Sequence, residues 1–422
     1  MDELSAPTSS LKTAFAQSLF NRDVPPDWTI GVMDDVLRET EYGLSEPGHS
    51  AGDVPIVGMR DLVDGAVNFE ELATVDSGGN DWSMYRLRRG DILLNRTNSP
   101  DLVGKVGYVR EDSEAVFASY LVRLHVDQGH ADAEYVAAWL NSGIAQRALK
   151  RLSTRGVSQA NINPTEFRRH CPIPVPPLTE QRKIAEILRT WDEALEKLTA
   201  LRAAKAKRLG SLRARLLFGK LRLHRRRHNW AATRLDAVTH ELTRRNGAKG
   251  LGRDCVMGVT KAEGVVPMRE QTIAGDISRY KRLPPRAFAY NPMRINVGSI
   301  AMNEREEEVL VSPDYVVFAC NADGLDPDYL DHLRKTSWWA HYINSGGSGS
   351  VRQRTYYDDL AALKLPLPEL DEQRAIAAVL NTARADMAAT EREIEAVTQQ
   401  KRGLMQKLLT GEWRVDSEKV LA

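Results

Sequence analysis

A long basic stretch is the first group of residues in this sequence that could do chemistry. Eleven Lys or Arg residues and no Asp or Glu lie between Arg202 and His228, and the run ends in Arg225-Arg226-Arg227. Such a stretch could seat a phosphate backbone or an acidic partner surface. The alternative is a solvated helix face that continues into a basic linker. The net charge of the whole chain, +1, does not decide between the two.

Recognisable catalytic motifs are missing. Gly104-Lys105 lacks the upstream glycine of a phosphate-binding loop. The three Pro-Pro pairs are followed by Asp27, Leu178 and Arg286, so none forms the Asn/Asp-Pro-Pro-aromatic loop of an amino-methyltransferase. Pro313-Asp314 is not followed by the acidic-x-Lys pattern of a nuclease. We therefore predict a binding protein that has no catalytic residues and no cofactor in this chain.

Composition indicates an ordinary cytoplasmic protein. Hydrophobic residues make up 42% and charged residues 27% of the 422 residues. No apolar run approaches the ~20 residues that cross a bilayer, and the first twenty residues do not resemble a secretory signal. The three cysteines are scattered without a CxxC, and the nine histidines show no ligand spacing with them. We expect a reducing compartment, no membrane and no metal site.

The elements that would position a binding surface are duplicated. Residues 173–188 read IPVPPLTEQRKIAEIL and residues 365–380 read LPLPELDEQRAIAAVL, with nine of the sixteen aligned positions identical. The register then holds without a gap to Gly219 and Arg222 in the first copy and to Gly411 and Arg414 in the second. A long internal repeat indicates two copies of one structural unit.

A long helix is predicted after each Glu-Gln-Arg. Apolar residues follow a 3-4-3-4 spacing, which is the seam of a coiled coil. Each helix would have about 40 residues and be roughly 60 Å long, capped by Thr179 or Asp371 and ended by Gly219 or Gly411. The helices would pack on each other, or each would pair with another protein. The predicted seam residues are Ile184, Leu188, Trp191, Leu195, Leu198, Leu209, Leu212, Leu216, Ile376, Leu380, Met387, Ile394, Val397, Leu404 and Leu408.

Two segments of similar layout precede the two helices. Asp27-Trp28 opens the first and Asn229-Trp230 opens the second. DILLN at 91–95 matches AFAYN at 287–291, and each is followed by Val-Gly and a β-type run. Similar layout with divergent sequence is typical of two domains of one fold with different specificities, although drift alone would also produce it.

The ordered duplicate resembles the specificity subunit of type I restriction-modification systems. The resemblance is carried by the helix-heading motifs at 174–188 and 366–380, by the Asp27-Trp28 and Asn229-Trp230 openings, and by RGDILLNRTNSPDLVGKVG at 89–107. It covers nearly the whole chain. The second half departs from it where Pro285-Arg286-Ala287 replaces Arg-Gly-Asp, so residues cannot be transferred one for one between the halves there.

This resemblance implies an α+β chain with a pseudo-two-fold internal repeat, in which two mixed α/β target-recognition domains are separated by two long antiparallel coiled-coil helices. Each domain would read one half of a bipartite DNA site. The helices would set the spacing and dock two methyltransferase subunits, with restriction/translocase subunits beyond them. S-adenosylmethionine, ATP and Mg would be used by those partners. The predicted organisation is an N-terminal helical segment at 1–24, target-recognition domain 1 at 25–176, a central helix at 177–222, target-recognition domain 2 at 223–368, a C-terminal helix at 369–415 and a tail at 416–422.

Contacts to double-stranded DNA would come from polar and basic loop residues. Arg can read guanine and Asn or Gln can read adenine, whereas Ser, Thr and Lys more often hold phosphates. The predicted contacts in the first domain are Arg96, Thr97, Asn98, Ser99, Lys105, Arg155, Ser158, Gln159 and Asn161. In the second domain they are Arg294, Asn296, Ser299, Ser348, Arg352, Gln353 and Arg354.

Two other functions compete with this interpretation. A stand-alone DNA-modifying enzyme would need a catalytic loop of unfamiliar sequence. A coiled-coil scaffold without DNA specificity would bind only proteins.

Overall fold

The computed structural model describes residues 24–46, 48–49, 51–156, 158–223, 230–345 and 354–415. It divides into two compact units, of which unit 1 comprises Met1–Lys197 with Ile394–Ala422 and unit 2 comprises Leu198–Glu393. The division falls within both long helices, so each helix contributes one part to each unit. The helical segment predicted at 1–24 lies outside the described residues except for Val24, and so does the tail at 416–422.

Unit 1 holds the first domain, which is built of short strands and three short helices. Its strands are β1 (Thr29–Val32), β2 (Leu37–Tyr42), β3 (Val54–Val57), β4 (Leu62–Val63), β5 (Ala66–Val67), β6 (Ala73–Val75), β7 (Ile92–Asn95), β8 (Thr97–Asn98), β9 (Val106–Tyr108), β10 (Val116–Phe117), β11 (Leu121–Val126), β12 (Thr154–Arg155), β13 (Ala160–Asn161) and β14 (Pro172–Val175). Its helices are α1 (Ala133–Leu140), α2 (Gly143–Leu152) and α3 (Pro164–His170), with 3-10 turns at Met33–Asp35, Met59–Asp61 and Ser83–Tyr85.

The core of this domain is a six-stranded sheet in the order β2-β11-β7-β9-β5-β4. β7 lies inside the sheet, antiparallel to both β11 and β9, with Asn95 opposite Leu121. Ile92, Leu93 and Leu94 are all fully buried, because both faces of this strand are covered. This explains why the sequence shows an unbroken apolar run there rather than an alternating one.

Unit 2 holds the second domain. Its strands are β15 (Ala231–Arg234), β16 (Thr239–Glu241), β17 (Met257–Thr260), β18 (Gly264–Pro267), β19 (Lys281–Leu283), β20 (Phe288–Tyr290), β21 (Ile300–Met302), β22 (Val309–Val311), β23 (Val316–Cys320) and β24 (Lys364–Leu367). Its helices are α5 (Leu235–Val238), α6 (Pro327–Leu333), α7 (Ser337–Ser345) and α8 (Tyr357–Ala361), with 3-10 turns at Arg253–Cys255, Glu270–Thr272 and Ile295–Val297.

The second domain repeats the layout of the first. Its central sheet has the order β16-β23-β20-β21, in which β20 occupies the place of β7 and β23 that of β11. The strand that opens each domain pairs with the strand before the long helix, β1 with β14 and β15 with β24. The helices that follow β11 and β23 also correspond, since the Tyr135 hydroxyl donates to the Pro174 carbonyl and the Tyr329 hydroxyl to that of Pro366.

The two long helices are α4 (Leu178–Leu216) and α9 (Leu370–Leu409), of 39 and 40 residues. They begin one residue before the predicted caps, so Thr179 and Asp371 lie inside the first turn and the cap prediction is wrong. In α4 the carbonyl of Pro177, at the end of the preceding extended segment, accepts the first hydrogen bonds instead. Gly219 and Gly411 end the helices as predicted, with φ of +67° and +72°. This left-handed conformation suits glycine.

Within each unit the two helices run antiparallel. In unit 1 Lys401 of α9 contacts Asp192 of α4. In unit 2 Arg202 and Lys205 of α4 reach back to Glu391 and Asp386 of α9, each at 2.8 Å. The polar residues that interrupt the predicted seam are therefore paired across it, which fixes the register of the two helices.

Burial of the predicted seam residues depends on their place along the helices. Ile184, Leu188, Leu209, Leu216, Ile376, Leu380 and Leu408 are buried. Trp191, Leu195, Leu198, Leu212, Met387, Ile394, Val397 and Leu404 are only half-buried. The buried positions pack into the hydrophobic cores of the two domains at the helix ends. The half-buried positions lie mainly between those ends.

The glutamate of each duplicated Glu-Gln-Arg joins the start of one helix, the opening of a domain and the end of the other helix. In unit 1 Glu180 accepts hydrogen bonds from Trp28 Nε1 at 3.1 Å and from Arg414 Nε at 2.9 Å. In unit 2 Glu372 accepts from Trp230 Nε1 at 3.2 Å and from Arg222 Nε at 2.7 Å. Because tryptophan, glutamate and arginine are all present twice, one anchor is built twice. We call these the Trp–Glu–Arg anchors.

The glutamine of the motif fixes the helix that follows β11 or β23. Gln181 Oε1 accepts from the backbone N–H of Asp132 at 2.9 Å, and Gln373 Oε1 accepts from that of Asp326 at the same distance. Asp132 and Asp326 are in turn the N-caps of α1 and α6. The duplicated motif thus holds its domain at two points in each unit.

Candidate nucleic-acid interface

Two groups of predicted contact residues, more than fifty residues apart in sequence, come together in the first domain. β8, β12 and β13 form a three-stranded sheet in the order β12-β13-β8. Asn161 lies between Thr154 and Thr97, and Ala160 lies between Arg155 and Asn98. Arg155 and Asn161 are exposed and Thr97 and Asn98 are half-buried. We call this small sheet with its side chains the reading sheet.

Arg96 lies directly beside the reading sheet on a fixed backbone. Its N–H donates to the Tyr120 carbonyl at 3.0 Å, and its own carbonyl accepts from Ile162 N at 2.8 Å. Its guanidinium carbon lies 5.1 Å from the centre of the Tyr42 ring. Tyr42 and Tyr120 are 49% and 51% exposed. Sequence reasoning missed both tyrosines, because only the pairing of β2 and β7 with β11 brings them to Arg96.

The remaining predicted contacts of the first domain shape a turn or reach solvent. Asn98 Oδ1 accepts from the backbone N–H of Ser99 at 2.8 Å, so this oxygen already stabilises the turn. The Ser99 carbonyl accepts from Leu102 N and Val103 N. Lys105, Ser158 and Gln159 are exposed. A base-reading role is therefore weaker for Asn98 than its residue type suggested.

In the second domain the predicted contacts fall on two loops. Arg294 and Asn296 are exposed on the turn between β20 and β21, which also exposes Val297 to 58%. Ser299 is 7% exposed, and its hydroxyl donates to the Val259 carbonyl at 3.0 Å. We leave Ser299 out of the interface because it is a buried structural residue. Arg354 is exposed and donates to the Tyr356 hydroxyl at 3.3 Å, while Ser348, Arg352 and Gln353 lie outside the described residues.

A cleft of about 740 Å³ borders the turn between β20 and β21 in unit 2. Its wall carries charges of both signs, from Lys261, Arg305, Arg334 and Lys335 and from Glu263 and Glu304. In the first domain Gln146 donates to the Gly104 carbonyl at 2.8 Å. The corresponding residue of α7 is Ala340, whose short side chain leaves part of the cleft open. The two candidate surfaces therefore differ in shape.

No group of three or more His, Cys, Asp or Glu that could hold a metal ion occurs in the part of the chain that the structure describes. Over the same residues, no helix is sufficiently long and apolar to span a membrane.

Comparison with known proteins gives a consistent result. Residues 27–205 match the family described as the type I restriction modification DNA specificity domain. The chain is 24% identical over 414 residues to a protein of Methanocaldococcus jannaschii named as the type I restriction enzyme MjaX specificity subunit, covering 93% of this chain and 95% of the relative. It is also 24% identical to the type I restriction enzyme EcoBI specificity subunit of Escherichia coli over 227 residues, which are 52% of this chain and 46% of the relative.

A solved structure has the same fold. The type I restriction-modification S subunit of M. genitalium matches 92% of this chain and 97% of its own length, with a TM-score of 0.59 and 13% identity. The chain is therefore similar, over nearly its whole length, to type I restriction-modification specificity subunits. The resemblance drawn from the duplicated helix-heading motifs is thereby confirmed, and so is the fold class of two mixed α/β domains with two long antiparallel helices.

In this chain the repeated and the divergent parts are separate. The Trp–Glu–Arg anchors match almost atom for atom between the units. The reading sheet of the first domain, in contrast, has no three-stranded counterpart among the sheets described for the second domain. Among the described residues, which omit 346–353, the frame is duplicated and the reading sheet is not.

Proposed function

We propose that this specificity subunit supplies the DNA sequence specificity of a type I restriction-modification complex, with each domain reading one half of a bipartite site. The observation that carries the proposal is the contrast between two matching anchors and two different exposed polar surfaces. A duplicated frame that presents different side chains suits recognition of two unrelated half-sites.

The long helices would set the distance between the half-sites and dock two methyltransferase subunits. Helices of 39 and 40 residues are roughly 60 Å long. Half-sites read from one face of B-DNA lie about 34–36 Å apart per helical turn, which is within that length. The half-buried middle of the seam leaves apolar and basic helix surface for a partner to cover.

Catalysis would belong to the partners. Methyl transfer, ATP hydrolysis and DNA cleavage would be performed by methyltransferase and restriction/translocase subunits in the cytoplasm, and this chain would contribute no catalytic group. The expected result is that the pure chain has none of these activities with any cofactor combination. Methyl transfer from S-adenosylmethionine by a preparation free of partner subunits would contradict it.

The two-domain proposal predicts that substitutions in one domain change recognition of one half-site only. Arg155→Ala with Asn161→Ala changes the reading sheet, and Arg294→Ala with Arg354→Ala changes the second domain. Binding is measured, with the methyltransferase partner present, to DNA libraries randomised separately in each half-site. Each pair should relax one half-site and leave the other intact, and a lost base contact should cost about 1–3 kcal/mol at one position.

Arg374→Ala provides the control, because Arg374 is exposed on the first turn of α9 outside both candidate surfaces. It should change neither half-site. If both double variants reduce the base preference at the same half-site, or if neither changes the base preference at any position, the proposal fails.

A further inference from the structure

Arg96 differs from the well-ordered arginines around it. The Arg123 guanidinium, on the neighbouring strand β11, is neutralised by Glu41 and Asp91 and donates to the Arg86 carbonyl. Arg168 is likewise paired, with Asp34. Within the described ranges no carboxylate lies within ion-pair distance of Arg96, and its buried Nε has no hydrogen-bond partner. Its guanidinium is held by an aromatic ring alone.

The Tyr42 ring lies against this guanidinium. Tyr42 is the last residue of β2, where it lies opposite Val122 of β11, and Arg96 follows β7 on the other side of β11. Both backbone groups of Arg96 are hydrogen-bonded, so stacking on the ring fixes the rest of the side chain. Arginine stacks on aromatic faces in this manner, and the contact contributes about 0.5–1 kcal/mol at an exposed site.

The unused donors of Arg96 match one type of ligand. Nε is buried, and no hydrogen bond of the two Nη groups occurs among the described residues, so these donors are available at a position next to the reading sheet. A planar pair of donors fits the O6 and N7 acceptors of guanine, which lie side by side in the major groove. A phosphate would also accept hydrogen bonds from this pair of donors, but a phosphate contact does not require the guanidinium to be held in one plane.

We propose that Tyr42 is a positioning residue for guanine recognition in the first domain, because its ring holds the Arg96 guanidinium in the plane in which both Nη groups donate to O6 and N7. This rests on the proposed function. It assigns one base type to one position of one half-site, and it gives a role to a residue that carries no charge and makes no base contact itself.

The test uses the subunit assembled with its methyltransferase partner and a duplex library randomised at the half-site of the first domain. Wild type should prefer guanine at one position. Tyr42→Leu removes the stacking ring, and Arg96→Lys removes the planar fork but keeps the charge. Each should reduce that guanine preference by about tenfold and leave the other positions and the second half-site unchanged. Tyr42→Phe keeps the ring and should retain the preference.

Tyr120→Leu is the matched control, because Tyr120 is about equally exposed and, among the described residues, no cation lies over its ring. It should keep the guanine preference. An unchanged preference in Tyr42→Leu overturns the inference, and so does an equal loss of affinity at every position, which would indicate a phosphate contact. Arg96→Lys leaves Tyr42 in place and decides the question even where Tyr42→Leu folds poorly. If wild type shows no sequence preference at all, the proposed function itself fails.

Discussion

The two domains are held by the same anchors, but they meet the long helices with opposite chemistry. In unit 1 α1 presents Ala137 and Ala138, which pack with Ala185 and Leu188 of α4 and Met405 of α9. In unit 2 α6 has Asp331 and His332 at the corresponding positions, both buried. We call these contacts the apolar seat and the polar seat. One architecture therefore tolerates both, provided that every buried polar group has a partner.

The polar seat is fully paired among the described residues. Asp331 accepts from Arg334 Nε at 2.9 Å and from Lys335 Nζ at 2.6 Å. Burial opposes its ionisation, but the two cations outweigh this and keep the pKa of the carboxyl below its ordinary value. His332 is shared between the helices, since its Nδ1 lies 3.3 Å from Arg213 Nε and its Nε2 lies 3.0 Å from Asn381 Oδ1. The arginine donates to Nδ1, so the imidazole is neutral.

The largest expected effect on stability comes from removal of the Asp331 carboxylate. Asp331→Ala gives the polar seat the residue that the apolar seat has at Ala137, but it leaves Arg334 and Lys335 without their buried counter-charge. We expect unfolding free energy to fall by about 3 kcal/mol, because removal of one partner of a buried ion pair leaves the other uncompensated. Chemical denaturation of the pure subunit measures it.

Glu134→Ala is the control in the apolar seat. Glu134 pairs with Arg189 at its rim, 3.0 Å away, where both side chains are partly exposed. Its loss should cost no more than about 1 kcal/mol. Equal costs for the two variants would remove the distinction between the seats.

The second effect is a dependence on pH that only the polar seat should have. Burial lowers the pKa of His332 from its ordinary 6.5 to about 4, despite the hydrogen bond to Asn381. The imidazole of His332 takes up a proton near pH 6.5 in the unfolded chain but only near pH 4 in the folded chain. The unfolding free energy should therefore fall as the pH drops from 6.5 to 4. The loss is at most about 3 kcal/mol by pH 4.

Unfolding free energy measured between pH 7.5 and pH 4.5 tests this expectation. His332→Ala imitates Ala138 of the apolar seat and should flatten the part of the slope that lies between pH 6.5 and pH 4.5. His130→Ala, which changes an exposed histidine of the first domain, should leave the slope as it is. A wild-type slope that survives in His332→Ala would assign the acid sensitivity to other groups.

These contrasts show which features the sequence could predict. Helix length and the Gly219 and Gly411 ends follow from local spacing and from the duplicate, and both are found. The partners of Glu180 and Glu372 could not be predicted, because Arg414 and Arg222 lie 234 and 150 residues away. The repeat showed that both arginines are duplicated, but only the fold shows what they contact.

Site residues were harder to predict than elements. Polarity and loop position placed Arg96, Arg155 and Asn161 in one region of the first domain, although their contacts to DNA stay a prediction. The same criteria included Ser299, which the pairing of the chain around β17 buries. They also omitted Tyr42, whose contact with Arg96 depends on strand order in the sheet.

The smallest expected effect concerns the one difference between the anchors that the sequence shows. Arg414 also pairs with Asp27, through two hydrogen bonds of 2.8 and 2.6 Å, whereas the second copy has Asn229 at the matching position. Asp27→Asn removes this charge and gives the first anchor the residue of the second. Asp27 is exposed, and exposed ion pairs contribute little to stability because water and salt screen them.

Denaturation at low and high salt measures that contribution. Asp27→Asn should lower the unfolding free energy only slightly at low salt, and the difference from wild type should shrink in high salt. Glu180→Gln is the comparison, because Glu180 is buried and accepts from both Trp28 and Arg414, so its loss should cost more and depend less on salt. If Asp27→Asn is as costly as Glu180→Gln, the anchor of the first domain depends on its aspartate, and the two anchors are less alike than their shared geometry indicates.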